Sequence, residues 1–267
     1  MRNMNVPKGQ ASAPSLSPAN ILGVVFDLDN TLLQSRRGAA EGLGVAASLI
    51  SQELRKHGQP FSKLQVLRKL NVIERERRAP LSGLVPRNLY DRDNWWKLLL
   101  KNLHLGHIQG PWIHETTLRY WQAYQGSSPP FPDAEATVRK LKTSGYRLGI
   151  VSDSDGTRGM KEKRVNAVPF RNLFETAVVA GEDTPKVKPS KAPFRLVARR
   201  LELLPASLAY VGDNPQTDIK GAQAIGMTTI LVKRKAYRVL VTGPDPPDPT
   251  PTFQIKSLKE VPRIIAG

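Results

Sequence analysis

The sequence predicts an α/β protein: a doubly wound parallel sheet with a helical unit inserted after its first strand. Three observations predict it. Short apolar runs recur at intervals that fit parallel strands joined by helices. Three of those runs stop at a small polar or acidic residue. One long stretch, between the first run and the second, holds helical patterns and no period-2 strand.

The apolar runs cover residues 21–26, 147–151, 177–179, 208–211 and 228–232. The first, second and fourth end at Asp27, Ser152 and Asp213. In an open parallel sheet the carboxyl ends of the strands line one crevice, so these residues converge although they lie far apart in the chain. Helical spacing of Ala134, Val138 and Leu141, closed by Gly145, predicts a crossover helix over 134–143. Residues 194–203 and 218–225 read the same way, the latter closed by Gly226. Residues 253–255 add a last strand and 258–265 a last short helix.

The inserted unit spans 34–130. It reads as four amphipathic helices, over 43–57, 64–77, 88–103 and 113–124. Gly- and Pro-containing breaks at 58–60, 79–86 and 106–111 separate them, and all four tryptophans lie within the inserted unit. SSPPFP, residues 127–132, reads as the hinge that returns the chain to the sheet. The domain reading is therefore a flexible tail over 1–20, a sheet-bearing core made of 21–33 and 131–267, and a helical unit over 34–130. A proline-rich surface loop follows Lys235.

Composition bounds the function. The chain has 267 residues, 40% of them hydrophobic, which suffices for a real core. It contains no cysteine, which excludes disulfides, thiolate metal sites and a cysteine nucleophile, and suits a reducing cytoplasm. No apolar run is long enough to span a bilayer. The tail holds Pro7, Gly9, Pro14 and Pro18 in a polar setting, against both a signal peptide and the amphipathic helix of a transit peptide. The net charge of +17 points to an anionic partner. Residues 34–132 carry 15 of the 40 basic residues against 7 acids, so the excess is not confined to a tail. A solvated basic surface that draws in phosphorylated ligands is favoured over a nucleic-acid groove.

The polar residues at the strand ends fall into four stretches. Asp27-Leu28-Asp29-Asn30-Thr31 follows the first strand, and Ser152-Asp153 the second. Lys188-Pro189 lies in a loop, and Gly212-Asp213-Asn214-Pro215-Gln216-Thr217-Asp218 follows the fourth strand. A carboxylate pair at the end of a core strand is costly unless it is paired or bound to a metal. Each stretch alone is common in turns and caps. In this order and spacing the set resembles the haloacid dehalogenase (HAD) superfamily, whose motifs read DxDxT, S/T, K and GDxxxxD. The likeness runs from Ile21 to Lys235. It is nearest to the phosphoglycolate-phosphatase-like branch, which carries a helical cap between the first two motifs. Phe131-Pro132-Asp133 and KPSKAPF fit that branch, except that Lys191 stands where many relatives have proline.

The resemblance implies a Rossmann-like core and a Mg²⁺-dependent phosphatase acting on a small phosphomonoester. Asp27 would be the nucleophile, forming an aspartyl-phosphate. Asp29 would protonate the leaving alcohol and then deprotonate the attacking water. Asn30 and Thr31 would shape the turn and aim backbone N–H groups at the phosphate. Ser152, the Asp153 N–H and Lys188 would hold the phosphoryl oxygens. Mg²⁺ would take the Asp27 carboxylate, the Asp29 carbonyl oxygen and Asp213, with Asp218 orienting the site or binding through water. Lys186 is a rival to Lys188, but only Lys188 has the following proline.

Within the superfamily, Asp29 argues against dehalogenation, which does without the second aspartate. A phosphonate hydrolase needs a buried lysine from the inserted unit; Lys56, Lys63, Lys69, Lys97 and Lys101 are present, and nothing marks one as buried. A phosphosugar mutase shares all four motifs and stays open as an alternative, as does a basic nucleic-acid-binding protein or polynucleotide-end phosphatase. Arg36 and Arg37 read either as substrate contacts or as solvated loop charges. Trp95 and Trp96 read as core rather than as a base-stacking platform. His104, His107 and His114 resemble a metal cluster, but Gly106, Gly110 and Pro111 interrupt the helix that would gather them.

Overall fold

The computed structural model describes residues 21–78, 90–234 and 248–267. Six strands, β1 (Gly23–Phe26), β2 (Arg147–Asp153), β3 (Thr176–Ala180), β4 (Leu208–Gly212), β5 (Thr228–Val232) and β6 (Phe253–Ile255), form one sheet in the order β3-β2-β1-β4-β5-β6. Every pairing is parallel. The chain builds outward from β1 to β3, then crosses back to β4 on the other side of β1. That reversal opens the ligand crevice of a doubly wound sheet at the carboxyl ends of β1 and β4.

The helices described are α1 (Ser35–Lys56), α2 (Lys63–Arg78), α3 (Arg92–Asn102), α4 (Trp112–Gly126), α5 (Ala134–Thr143), α6 (Met160–Asn166), α7 (Lys191–Arg200), α8 (Lys220–Gln223) and α9 (Val261–Ala266). Both faces of the sheet are covered, which is why β1 reads as an unbroken apolar run. Val24, Phe26, Leu148, Ile150 and Val211 pack with Val138 and Leu141 of α5 and Ile265 of α9. Val25, Val151 and Tyr210 point the other way, onto Phe194 and Val197 of α7 and Ala222 of α8.

Helices α1 to α4 stand between β1 and α5 and have their own core, including Leu43, Ile50, Leu54, Leu99, Tyr120 and Trp121. Trp95 and Trp96 belong to it. The Trp96 indole N–H donates to Thr117 Oγ1 at 2.8 Å, and the buried Arg92 guanidinium lies 3.7 Å from the Trp95 ring centroid. Neither ring is a platform for a base. Helix α1 lies so close to α4 that a Cβ on Gly38 would stand 2.4 Å from the Tyr124 carbonyl oxygen. The return segment is tied down by Asp133, whose carboxylate accepts from Arg234 twice at 2.9 Å and from Ser257 Oγ at 2.8 Å.

Several boundaries differ from the sequence expectation. Helix α1 starts at Ser35 rather than at residue 43, because Gly38 and Gly42 meet α4 and hide the apolar stripe. Arg36 and Arg37 thus lie in its first turn, not on a loop. Helix α3 starts at Arg92, where the Asp91 side chain accepts from the Asp93 N–H at 3.0 Å. The expected helix over 218–225 is a wide π-type turn, Pro215–Ile219, followed by the short α8. Helix α6 was not foreseen, since Val165 and Met160 are its only large apolar residues. The tail at 1–20, the break at 79–86 and the loop at 235–247 lie outside the described residues.

Candidate active site

The crevice gathers the strand ends as the topology requires. Asp27 directly follows β1, Asp213 follows β4, and the π-type turn swings Asp218 back beneath them. Gly212 allows this approach: a Cβ there would lie 2.5 Å from the Asp218 carboxyl carbon. Lys188 Nζ sits between two carboxylates, 2.7 Å from Asp27 Oδ1 and 2.7 Å from Asp218 Oδ1. Lys188 is buried in this cluster, whereas Lys186 is exposed. Asp218 is fully engaged, accepting also from the Tyr210 hydroxyl at 3.2 Å and the Asn214 N–H at 3.0 Å.

Burial is the largest influence on this cluster. It raises the Asp27 carboxyl well above the usual range; Lys188 opposes that, and Asp218 and Asp213 add to it. Asp213 is pushed up to about 7 by burial and by the charge of Asp218, with Lys188 and Arg36 pulling the other way. Burial disfavours the Lys188 charge, but Asp218 and Asp27 outweigh it and raise its pKa well above that of a free lysine.

Ser152 is buried near the end of β2. Asp153 plays a part the sequence did not suggest: its carboxylate accepts from the Lys188 backbone N–H at 2.9 Å and so fixes the lysine loop. Asn30 and Thr31 do shape the turn after β1, and Asn30 adopts a left-handed backbone with φ 63°. The expected phosphate-facing role of the Asn30 N–H is corrected, because it donates to the Leu33 carbonyl at 2.8 Å. The Thr31 hydroxyl is buried without a partner.

Asp29 has a different environment from Asp27. Its carboxylate accepts from Ser35 Oγ at 2.5 Å and from Lys161 Nζ at 2.5 Å. Arg164 Nη2 also donates to it, and the Tyr124 hydroxyl lies 3.4 Å away. Behind Lys161 and Arg164 stands Asp155, 2.9 Å from Lys161 Nζ and 2.8 Å from Arg164 Nη1. Burial opposes the Asp29 charge, but Arg164 and Lys161 prevail and hold its carboxyl well below the usual range. As placed here, Asp29 is ionised. Sequence reasoning missed Lys161, Arg164, Asp155 and Tyr210. The only available signal was the i, i+3 spacing of Lys161 and Arg164, which puts both on one helical face.

Other candidates fall away. Lys56, Lys63, Lys69, Lys97 and Lys101 are all exposed, as are His104, His107 and His114. His114 pairs instead with Asp93 at 3.1 Å. Arg37 is exposed, whereas half-buried Arg36 lies near enough for its charge to act on Asp213. Among the described residues, one group of three acidic or imidazole side chains brings ligand atoms within 4.8 Å of one another: Asp27, Asp213 and Asp218. This all-oxygen set with excess buried negative charge fits a hard divalent cation.

The buried carboxylate cluster thus lies at the carboxyl edge of a doubly wound sheet and is bridged by one lysine. The model for haloacid dehalogenase-like hydrolases matches residues 21–226, and the chain belongs to that family. It is 24% identical over 241 residues to a glyceraldehyde 3-phosphate phosphatase of Methanopyrus kandleri, covering 90% of this chain and 95% of the relative. It is 29% identical over 210 residues to a ribulose-1,5-bisphosphate 5-phosphatase of Halopiger xanaduensis, covering 78% and 83%. Among solved structures, a HAD phosphatase from Thermococcus onnurineus superposes with a TM-score of 0.63 at 24% identity, covering 92% of this chain and 99% of the other. Among the described residues, no helix is long and apolar enough to cross a membrane.

Proposed function

We propose that the protein is a Mg²⁺-dependent phosphatase that hydrolyses a small phosphomonoester through a phosphorylated Asp27. The observation that carries this reading is the buried cluster in which Lys188 bridges Asp27 and Asp218 at 2.7 Å beside Asp213. The two relatives named above, both phosphatases of phosphorylated sugars, support the substrate class.

Asp27, Asp213 and the Asp29 carbonyl would hold Mg²⁺, with Asp218 as a ligand or orienting group. The ion would neutralise charge between the carboxylates and the phosphoryl group. The Asp27 carboxylate attacks phosphorus and the bond to the ester oxygen breaks. The departing oxygen takes a proton from Asp29. Water then attacks the phosphorus of phospho-Asp27, Asp29 takes its proton, and the Asp27 carboxylate is regenerated. Lys188, held by the Asp153 carboxylate, keeps one positive charge against the phosphoryl oxygens throughout, and Ser152 donates to one of them. To act as the acid, Asp29 has to exchange Lys161 and Arg164 for the ester oxygen and first take up a proton from solvent; the proton it later takes from the attacking water serves the next turnover.

The unit over 34–130 acts as a cap on the core formed by 21–33 and 131–267, excluding water from the crevice. The absence of cysteine fits a cytoplasmic setting. The test is phosphate release from a panel of phosphomonoesters, with and without Mg²⁺. Metal-dependent release that Asp27→Asn abolishes is the expected result. An Asp27→Asn protein as active as the wild type would refute the covalent mechanism.

A further inference from the structure

Around Asp29 stands a carboxylate-binding site occupied by the protein's own side chain. Lys161 and Arg164 are both buried, and Arg164 lies against the Tyr124 ring at 4.3 Å. Five donors converge on the two Asp29 oxygens: Lys161 Nζ, Arg164 Nη1 and Nη2, Ser35 Oγ and the Tyr124 hydroxyl. Two come from the inserted helices, Ser35 on α1 and Tyr124 on α4; the rest come from α6 on the core. The site thus lies where the core meets the inserted unit. The Asp29 side chain is 24% exposed, while those of Lys161 and Arg164 are 3% and 1% exposed. Asp29 is the plug in this site.

The charges balance only while the plug is in place. Lys161 and Arg164 face Asp29 and Asp155, two cations against two carboxylates. When the Asp29 side chain turns away toward the ester oxygen, Asp155 alone faces two buried cations. An uncompensated buried charge is costly, so an anion has to replace the carboxylate that left. A guanidinium and an ammonium with two hydroxyls suit a carboxylate or a phosphate.

Building on the phosphatase reading, we propose that Lys161 and Arg164 form an anion subsite, held by Asp29 at rest and taken over by a second anionic group of the substrate. The substrate class is then a phosphomonoester that bears a carboxylate or a second phosphate within a few bonds of the ester oxygen. A side-chain rotation of Asp29 would carry it out of the subsite. Binding of that group displaces the Asp29 side chain from the subsite, so recognition of the second anion and release of Asp29 are linked.

A three-carbon series tests this: 3-hydroxypropyl phosphate, 3-phosphonooxypropanoate and propane-1,3-diyl bisphosphate, each with Mg²⁺. p-Nitrophenyl phosphate, which has no second anion, serves as the check on phosphatase activity. The expected result is a kcat/KM at least tenfold higher for one or both members that bear a second anionic group than for 3-hydroxypropyl phosphate. Which member leads tells carboxylate from phosphate. In Lys161→Met the ratio falls toward one, and in Lys161→Arg, which keeps the charge, it is retained. Hydrolysis of p-nitrophenyl phosphate with a wild-type ratio near one overturns the subsite and leaves the phosphatase reading standing. No release from any compound overturns both. If Lys161→Met does not fold, the wild-type ratio and Lys161→Arg still decide: a ratio lost in the arginine variant refutes a charge-based subsite.

Discussion

Mg²⁺ affinity should fall as pH drops through neutrality, because Asp213, a proposed ligand of the metal, binds a proton in the same range. Burial and the charge of Asp218 push Asp213 up to about 7. A proton on Asp213 and a metal ion at its oxygen exclude one another, so affinity follows the deprotonated fraction. With one such group, affinity drops about tenfold between pH 8 and pH 6, and roughly another tenfold by pH 5. The sign in the metal-free protein is fixed by the same shift. The folded pKa is raised above the unfolded value of 3.8, so the folded state binds the proton more tightly. Stability is then greatest at acid pH and is lost as pH rises from about 4 through 7. At 1.36 kcal/mol per unit the full shift is worth about 4 kcal/mol, and partial solvent screening of half-buried Asp213 brings it to about 2 kcal/mol. Titration calorimetry with Mg²⁺ at pH 5.5, 6.5, 7.5 and 8.5, in two buffers of different ionisation enthalpy, reads both affinity and proton release. Affinity independent of pH, with no proton released, would show that Asp213 is no ligand or that its carboxyl is not perturbed.

Replacing Lys188 with Met leaves Asp27 and Asp218 facing each other without a cation; we expect kcat to fall by about 10²–10³. Stability should drop by about 3 kcal/mol at pH 7, checked by urea denaturation. Gly38→Ala tests the contact between α1 and α4. Helix propensity alone favours Ala by about 1 kcal/mol, but the added Cβ would lie 2.0 Å from Ser128 Oγ and 2.4 Å from the Tyr124 carbonyl oxygen. The packing argument therefore predicts net destabilisation of about 1–3 kcal/mol by thermal unfolding; a rise in Tm would refute it.

What was legible in the sequence followed from burial and chain direction. The runs ending at Asp27, Ser152 and Asp213 become β1, β2 and β4, because strands covered on both faces leave little but apolar residues until the crevice begins. The start of α1 was hidden for a packing reason. Gly38 and Gly42 are buried against α4, yet neither registers as apolar. Helix α6 was hidden for an electrostatic one. Its inward face carries Lys161 and Arg164, buried because Asp29 meets them from a distant part of the chain and Asp155 from the segment just before the helix. A periodicity argument counts such residues as solvated. Tyr210 escaped for a related reason: its ring belongs to the core and only its hydroxyl reaches Lys188 and Asp218.

The two aspartates that end β1 look equivalent in the sequence and have opposite surroundings in the fold. Asp27 stands among carboxylates with one lysine for relief, a site short of positive charge. Asp29 stands among cations on the side of the inserted helices, a site whose balance depends on its own carboxylate staying there. Leu28 between them is fully buried and fixes the turn, so the separation is built into the backbone rather than chosen by a flexible loop. The proposed chemistry needs both imbalances corrected together. A cation has to join Asp27, and an anion has to stand in for Asp29. Mg²⁺ would meet the first need, whereas a phosphomonoester that brought only its phosphate would leave the second unmet. On this proposal, selection for a second anionic group would fall to the surroundings of Asp29 and not to the four motifs shared across the family, so the motifs alone would not name a substrate class.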